Sequence, residues 1–247
     1  MKRLLWLISL ALMTTGSLAP AIADTAQPMF AADAVLSDTG PVYWGTGFFV
    51  DWQGNVLTAR HLTNDCRRID IVGNGQRETA MVIASSDTVD LSLLRVSHTF
   101  GQPAAFDPRE RLPGGALVTI LGYALLVDAL HTQDPSQSAA FNSMVLDENA
   151  PSQIALVSDA MPGASGSPVI TRDGLVAGVL ASKLIRTGNL AAGGQPDEIR
   201  LAVSGTAAIE FLSQQGVAPI EGETARHARM NFIGELASAE VKIECHR

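Results

Sequence analysis

The stretch PGASGSPVI, from Pro162 to Ile170, places one hydroxyl among small residues directly before an apolar, strand-like run. A serine hydroxyl is a weak nucleophile at neutral pH, so a reactive Ser165 needs a base, a group that orients the base, and donors for an oxyanion. Gly163 permits a positive-φ bend that can aim successive N–H groups into one cavity. Without partners elsewhere in the chain, the same residues describe an ordinary turn between strands.

Two other segments carry candidate partners, each at the edge of a predicted strand. GTGFFVDWQGNVLTARH, residues 45–61, contains two short β-prone runs around a Gly/Asn turn and ends at His61. DTVDLSLLRV, residues 87–96, places Asp90 directly before a leucine-rich strand, with Asp87 as a competing candidate in the same turn. The candidates therefore follow the order histidine, aspartate, serine.

The three segments resemble, in order and local context, the chymotrypsin-fold serine proteases, particularly the bacterial trypsin-like peptidases of the HtrA/Deg type and the glutamyl-endopeptidase-like group. The resemblance covers about residues 45–212. Ala164 departs from the family pattern, which usually has Asp or Asn before the nucleophile, and Ser167 follows the variant that the glutamyl-endopeptidase group shows. Neither position carries a triad side chain.

The resemblance implies an exported serine endopeptidase that cleaves protein or peptide substrates through an acyl-enzyme and uses no cofactor or metal. His61 would accept the proton of Ser165, and Asp90 would hold the imidazole in the required tautomer. The backbone N–H groups of Gly163 and Ser165, together with Ala164, would form the oxyanion hole.

Substrate specificity is left open by the sequence. Ala181, Ser182 and Lys183 are predicted to offer a strand edge to which an extended peptide adds. Asp159, six residues before Ser165, stands where trypsin-like enzymes carry an aspartate selective for basic residues. Lys183 would instead favour acidic substrates.

The predicted fold is all-β. Strand-length runs separated by polar turns indicate closed antiparallel sheets, and the resemblance implies two six-stranded barrels followed by a helix at about Thr206–Gln215. The polar stretch Asp128–Ser143 is expected to be a long loop bordering a cleft. We divide the chain into a signal peptide, a barrel with His61 and Asp90, a barrel with Ser165, and a helix and tail: 1–23, 24–110, 111–205 and 206–247.

The N-terminal residues predict export. Lys2 and Arg3 precede an apolar run, Leu4–Met13, and Ala21-Ile22-Ala23 is a small-x-small cleavage site. We therefore expect a periplasmic or secreted protein that has no stable membrane anchor after cleavage. The net charge of −8 and the lack of a dense basic run argue against nucleic acid as a partner. Oligomeric state is not indicated.

The chain has two cysteines, Cys66 and Cys245, too few for a common zinc site. In an oxidising compartment a disulfide between them is the default expectation. It would fasten the C-terminal tail beside the region after His61. Two separate thiols are the alternative.

Two other functions compete with the peptidase. A pseudoprotease would keep the fold and a peptide-binding cleft, but a carbonyl of the Pro162–Gly163 loop would fill the oxyanion cavity. An α/β-hydrolase would need G-x-S-x-G and the order serine, acid, histidine. Because Ser167 replaces the second glycine and His61 comes first, the α/β-hydrolase is disfavoured.

Overall fold

A computed structural model describes residues 42–109, 111–125, 136–186, 198–222 and 237–247. The predicted signal peptide lies outside the described residues. Among the described residues, no helix combines the length and apolar content needed to cross a membrane.

The first barrel closes in the order β1-β12-β3-β4-β5-β2, and every pairing is antiparallel. Its strands are β1 (Val42–Phe49), β2 (Asn55–Thr58), β3 (Arg68–Gly73), β4 (Gln76–Ser86), β5 (Leu91–Arg95) and β12 (Glu240–His246). Strands β1, β2 and β5 contain the strand-like runs of residues 45–61 and 87–96.

The sixth strand, β12, comes from the tail and lies between β1 and β3. Val241, Ile243 and Cys245 are buried, and the polar and charged residues that alternate with them are buried or half-buried as well, so both faces of β12 are covered. The tail is therefore an integral part of the first barrel. The Cys66–Cys245 disulfide is present, with the Cα atoms 5.3 Å apart, which confirms that expectation.

The second barrel closes in the order β10-β11-β8-β7-β6-β9, also with antiparallel pairs. Its strands are β6 (Leu117–Leu125), β7 (Ser136–Ala150), β8 (Gln153–Ser158), β9 (Pro168–Thr171), β10 (Val176–Arg186) and β11 (Glu198–Ser204). The two barrels confirm the predicted fold class.

The expectation of a loop over Asp128–Ser143 is wrong for its second part. From Ser136 onward the chain is strand β7, which pairs with β6 from Leu125↔Ser136 to Leu117↔Met144. Polar composition misled the prediction, because ladder hydrogen bonds use backbone groups that every non-proline residue carries. Residues 126–135 lie outside the described part.

The helix α1 (Gly205–Gln214) follows β11 and agrees with the predicted helix to within one residue at each end. The Ser204 side chain caps it by accepting a hydrogen bond from the N–H of Ala207 at 3.3 Å. Phe211 and Leu212 are buried against the barrels.

One hydrophobic cluster joins the barrels. It contains Phe48 and Leu91 from the first barrel, Ile170 and Val179 from the second, and Phe106 from the segment between them. The barrels therefore share a core, which brings loops of both barrels together at their junction.

Candidate active site

His61 lies in a 3-10 turn, Arg60–Leu62, that begins two residues after β2. Its Nδ1 is 2.6 Å from Oδ2 of Asp90, and its backbone N–H donates to Oδ1 of the same carboxylate at 3.0 Å. The backbone N–H of Arg60 also donates to the carbonyl oxygen of Asp90 at 3.1 Å. These contacts fix the imidazole from Nδ1 and leave its Nε2 edge for another partner.

Asp90 reaches His61 because it directly precedes β5, which pairs with β2 through Ser92 and Thr58. The competing candidate, Asp87, instead forms an ion pair with Arg60 at 2.7 Å and has a side chain that is 86% exposed. The structure therefore brings Asp90, and not Asp87, to the histidine.

The environment of Asp90 favours its ionised form. Burial raises the pKa of the Asp90 carboxyl, but the hydrogen bonds and charge of His61, together with the charge of Arg60, outweigh burial. The pKa of Asp90 therefore lies below its ordinary value. A carboxylate in this state can stabilise an imidazolium beside it.

The loop before Ser165 is a type II turn. The N–H of Ala164 donates to the carbonyl oxygen of Met161 at 3.1 Å, and Gly163, at the third position, has a φ of 97°. A type II turn requires positive φ at this position and favours proline at the second position, here Pro162. Because the N–H of Ala164 closes the turn, we keep only the N–H groups of Gly163 and Ser165 as oxyanion donors.

These two N–H groups are available. Within the described part of the chain, neither the N–H of Gly163 nor that of Ser165 donates a hydrogen bond. The Ser165 hydroxyl likewise has no hydrogen bond to another described residue.

The first barrel holds the chain around Ser165. The N–H of Thr46 donates to the carbonyl oxygen of Ser165 at 2.8 Å. A Cβ on Gly166 would lie 2.0 Å from the carbonyl oxygen of Thr46 and 3.0 Å from the nitrogen of Ala59. Ser165 thus lies beside the end of β2, where the turn carrying His61 begins.

Close packing explains the small residues of the PGASGSPVI stretch. A Cβ on Gly163 would lie 2.3 Å from the Trp44 ring, and both Gly163 and Gly166 have positive φ. Side chains at these positions would clash and strain the backbone.

Two contacts on this loop were not predicted from the sequence. The Thr46 hydroxyl donates to the carbonyl oxygen of Gly163 at 2.9 Å, and the Trp44 ring packs on the same glycine. The sequence indicates a hairpin strand for Gly45-Thr46-Gly47 and shows no sign of a contact with the nucleophile loop. These residues could have been singled out only with the knowledge that β1 faces the nucleophile loop.

The proposed substrate-binding residues lie on two segments. Asp159 is exposed and follows β8 directly. Ala181 is half-buried in β10, and Ser182 and Lys183 follow it where the β10–β11 register shifts. Leu180 connects this strand to the nucleophile loop, because its carbonyl oxygen accepts from Gly166 N–H and its N–H donates to Ser167, both at 2.8 Å.

A second group of titratable residues lies on β3 and β12, apart from this site. Asp70, Glu244 and His246 bring potential ligand atoms within 4.8 Å of one another. Arg77 contacts both carboxylates, at 3.3 Å from Asp70 and 2.6 Å from Glu244. We describe this group as an ion-pair network.

A family model described as a trypsin-like peptidase domain matches residues 45–179, more than half of the chain. A curated relative, the uncharacterized protein y4bJ of Sinorhizobium fredii, is 31% identical over 204 residues. The match covers 81% of this chain and 32% of the relative, so the chain spans about a third of that protein.

Solved structures of two proteases have a similar fold. The inactive form of the Rv3671c protease, a protein of M. tuberculosis, matches with a TM-score of 0.54 and 20% identity over 71% of this chain and 88% of its own. The serine endoprotease from Yersinia pestis matches with a TM-score of 0.57 and 17% identity over 74% of this chain and 60% of its own. These likenesses support the double-barrel fold, and the family match extends over both barrels: the chain belongs to the trypsin-like peptidase domain family.

Proposed function

We propose that the protein is an exported serine endopeptidase in which Ser165, His61 and Asp90 act as a catalytic triad. Family membership supports peptidase function. The observation that carries the finer proposal is the double contact of one carboxylate with His61, at Nδ1 and at the backbone N–H. This geometry orients the ring as a general base requires.

In the acylation step, Ser165 Oγ attacks the carbonyl carbon of the peptide bond and His61 Nε2 takes the hydroxyl proton. The carbonyl oxygen becomes an oxyanion, and the Asp90 carboxylate stabilises the imidazolium. The C–N bond then breaks as His61 returns the proton to the departing amine. The acyl group stays on Ser165 as an ester.

The Gly163 and Ser165 N–H groups are proposed to receive the oxyanion. Their freedom from other hydrogen bonds among the described residues supports this assignment. Fixed donors in a sheltered site stabilise the charge without reorganising first.

In the deacylation step, His61 takes a proton from water while the water oxygen attacks the ester carbon. The proton then passes from His61 to Ser165 Oγ as the ester bond breaks. The acid product leaves and the serine hydroxyl is regenerated.

Export is proposed from the signal-like residues 1–23, which place the mature protein in the periplasm or the medium. The Cys66–Cys245 disulfide supports this, since such bonds persist in oxidising compartments. Protein or peptide chains are the proposed substrates. Asp159 and Lys183 leave the preferred charge of the substrate open.

The alternative is a binding module of the same fold with little catalytic activity. One observation favours it: the Ser165 hydroxyl has no hydrogen bond to His61 within the described residues. The type II turn favours the enzyme. In a type I turn the Pro162–Gly163 peptide would be reversed, and its carbonyl, not the Gly163 N–H, would face the oxyanion cavity. Catalytic hydrogen bonds also commonly tighten only when substrate binds.

A fluorophosphonate probe and a fluorogenic protein substrate distinguish the two functions. If the protein is an enzyme, the probe should label wild type once per chain and wild type should hydrolyse the substrate. Both the labelling and the hydrolysis should be lost in Ser165→Ala. The binding module predicts that folded wild type neither reacts with the probe nor cleaves the substrate. Labelling that persists in Ser165→Ala would contradict the assignment of the nucleophile.

A further inference from the structure

Thr46, a fully buried residue of β1, contacts the nucleophile loop at two points. Its N–H donates to the carbonyl oxygen of Ser165 at 2.8 Å, and its hydroxyl donates to the carbonyl oxygen of Gly163 at 2.9 Å. One residue therefore holds both positions whose N–H groups are proposed as oxyanion donors.

The Thr46 hydroxyl makes a third contact, in which it accepts a hydrogen bond. The N–H of Tyr123, in β6, donates to Thr46 Oγ1 at 2.9 Å. A hydroxyl has one proton to donate and lone pairs that accept. Because the carbonyl oxygen of Gly163 can only accept, the Thr46 proton is directed to it, and the Tyr123 N–H is directed to a lone pair of Oγ1. The Thr46 hydroxyl therefore contacts the second barrel twice, at Tyr123 in β6 and at Gly163 in the nucleophile loop.

Gly163 needs such an external restraint. Glycine crosses between backbone conformations with little steric cost. Rotation of the Pro162–Gly163 peptide would turn a type II turn into a type I turn and move the Gly163 N–H to the opposite side. The hydrogen bond from Thr46 to the Gly163 carbonyl fixes the plane of the next peptide, Gly163–Ala164. It therefore opposes rotation of the Pro162–Gly163 peptide. The Trp44 ring, packed against Gly163, restricts the remaining space.

We propose that Thr46 is a positioning residue, whose side-chain hydroxyl holds the Met161–Ala164 turn in the conformation that presents the Gly163 N–H to the oxyanion. This inference rests on the proposed peptidase function. Thr46 touches no substrate in this account and acts only through the loop.

The test compares T46V, which keeps the shape and loses the hydroxyl, with T46S, which keeps the hydroxyl. Loss of one oxyanion donor typically lowers kcat by about 10²–10³-fold, so a misplaced donor in T46V should lower kcat by about 10–100-fold. KM should change little, and T46S should stay within about threefold of wild type. T171V is the matched control, because buried Thr171 has a hydroxyl that accepts from the Leu175 N–H at the connection between β9 and β10.

Binding of a peptide aldehyde distinguishes a misplaced oxyanion donor from a general loss of structure. Ser165 Oγ adds to the aldehyde carbon, His61 takes the serine proton, and the oxygen of the adduct occupies the oxyanion site. Affinity for the aldehyde should fall in T46V by the same factor as kcat/KM. Affinity of the T46V/Ser165→Ala protein for the uncleaved peptide should equal that of Ser165→Ala alone.

The outcomes separate this inference from the proposed function. If wild type hydrolyses peptides and T46V has the same kcat and aldehyde affinity, the role of Thr46 is refuted while the function stands. If wild type neither hydrolyses peptides nor reacts with the aldehyde, the proposed function itself is refuted. Should T46V fail to fold, T46C provides the comparison, because a thiol is a weaker donor. Equal kcat values for T46C and T46S would then overturn the inference.

Discussion

At the scale of single residues, the site depends on backbone contacts as much as on side chains. Asp90 binds the ring and the N–H of His61, while Asp87, three residues earlier, extends into solvent with Arg60. The motif pointed to the aspartate that contacts His61, because the residue at the start of a paired strand is held in place. It did not reveal that the Ala164 N–H closes a turn, since that depends on backbone dihedral angles.

Asp90→Asn should lower kcat by about 10⁴-fold with little change in fold, because an amide can donate to Nδ1 and stabilise the wrong imidazole tautomer. Steady-state hydrolysis of a fluorogenic peptide measures the effect. Asp87→Asn is the control and should change kcat less than threefold, since exposed ion pairs contribute little. Equal losses in the two variants would contradict the assignment of Asp90.

Glu244 should make stability depend on acid pH. Burial raises its pKa, but the hydrogen bonds and charges of Arg77 and Lys242 outweigh burial, so its folded-state pKa lies below the ordinary value. The unfolded chain, with a glutamate pKa of about 4.3, therefore binds more protons in acid, and the contribution of Glu244 to stability falls as pH drops below about 5.

Urea unfolding at several pH values tests this expectation. Glu244→Gln should be less stable than wild type at pH 7, and the difference should shrink as the pH falls toward about 3. Glu210→Gln, at an exposed position of α1, is the control and should show no such convergence. A difference that is constant across the pH range would contradict the ion-pair account.

At the scale of elements, local pattern predicted most strands and the helix, and failed where pairing is distant or side chains are polar. The β12 sequence alternates apolar with polar or charged residues, but its partners β1 and β3 lie more than 150 residues earlier. A local sequence pattern does not identify pairing partners at this distance. The first part of β7 was missed because its residues, beginning with Ser, Gln and Ser, indicate a loop by composition.

The Cys66–Cys245 disulfide should stabilise the closure of the first barrel by β12. Its ends are 179 residues apart, and in the chain-entropy model a loop of this size contributes about 5 kcal/mol. The C66A/C245A protein should lose about this much free energy of unfolding in denaturant titrations. Wild type treated with reductant should lose a similar amount. A loss below about 1 kcal/mol in both would contradict the expected contribution.

At the scale of the whole molecule, the two barrels and α1 share one apolar cluster, and the proposed triad is assembled from both barrels. The family resemblance predicted this arrangement. The sequence could not predict which side chains join the barrels, because that depends on packing between distant segments. Phe106 is one such residue: it is fully buried and lies 6.1 Å from Phe48, ring to ring.

Phe106→Ala should cost about 3–5 kcal/mol of stability, since it leaves a cavity in the shared cluster. Calorimetry should show a lower melting temperature and still a single transition, because the barrels unfold together. Two separate transitions in wild type would contradict the shared core as a unit of stability.

The central claim is that Ser165 carries the acyl group during catalysis. The most direct measurement is a rapid-quench reaction with a nitrophenyl ester, followed by mass spectrometry of the digested protein. The account predicts a burst of nitrophenolate equal to the active enzyme and an acyl group on the peptide containing Ser165, with both absent from Ser165→Ala. Turnover of the ester with an acyl group found on a different residue, or an undiminished burst in Ser165→Ala, would contradict it.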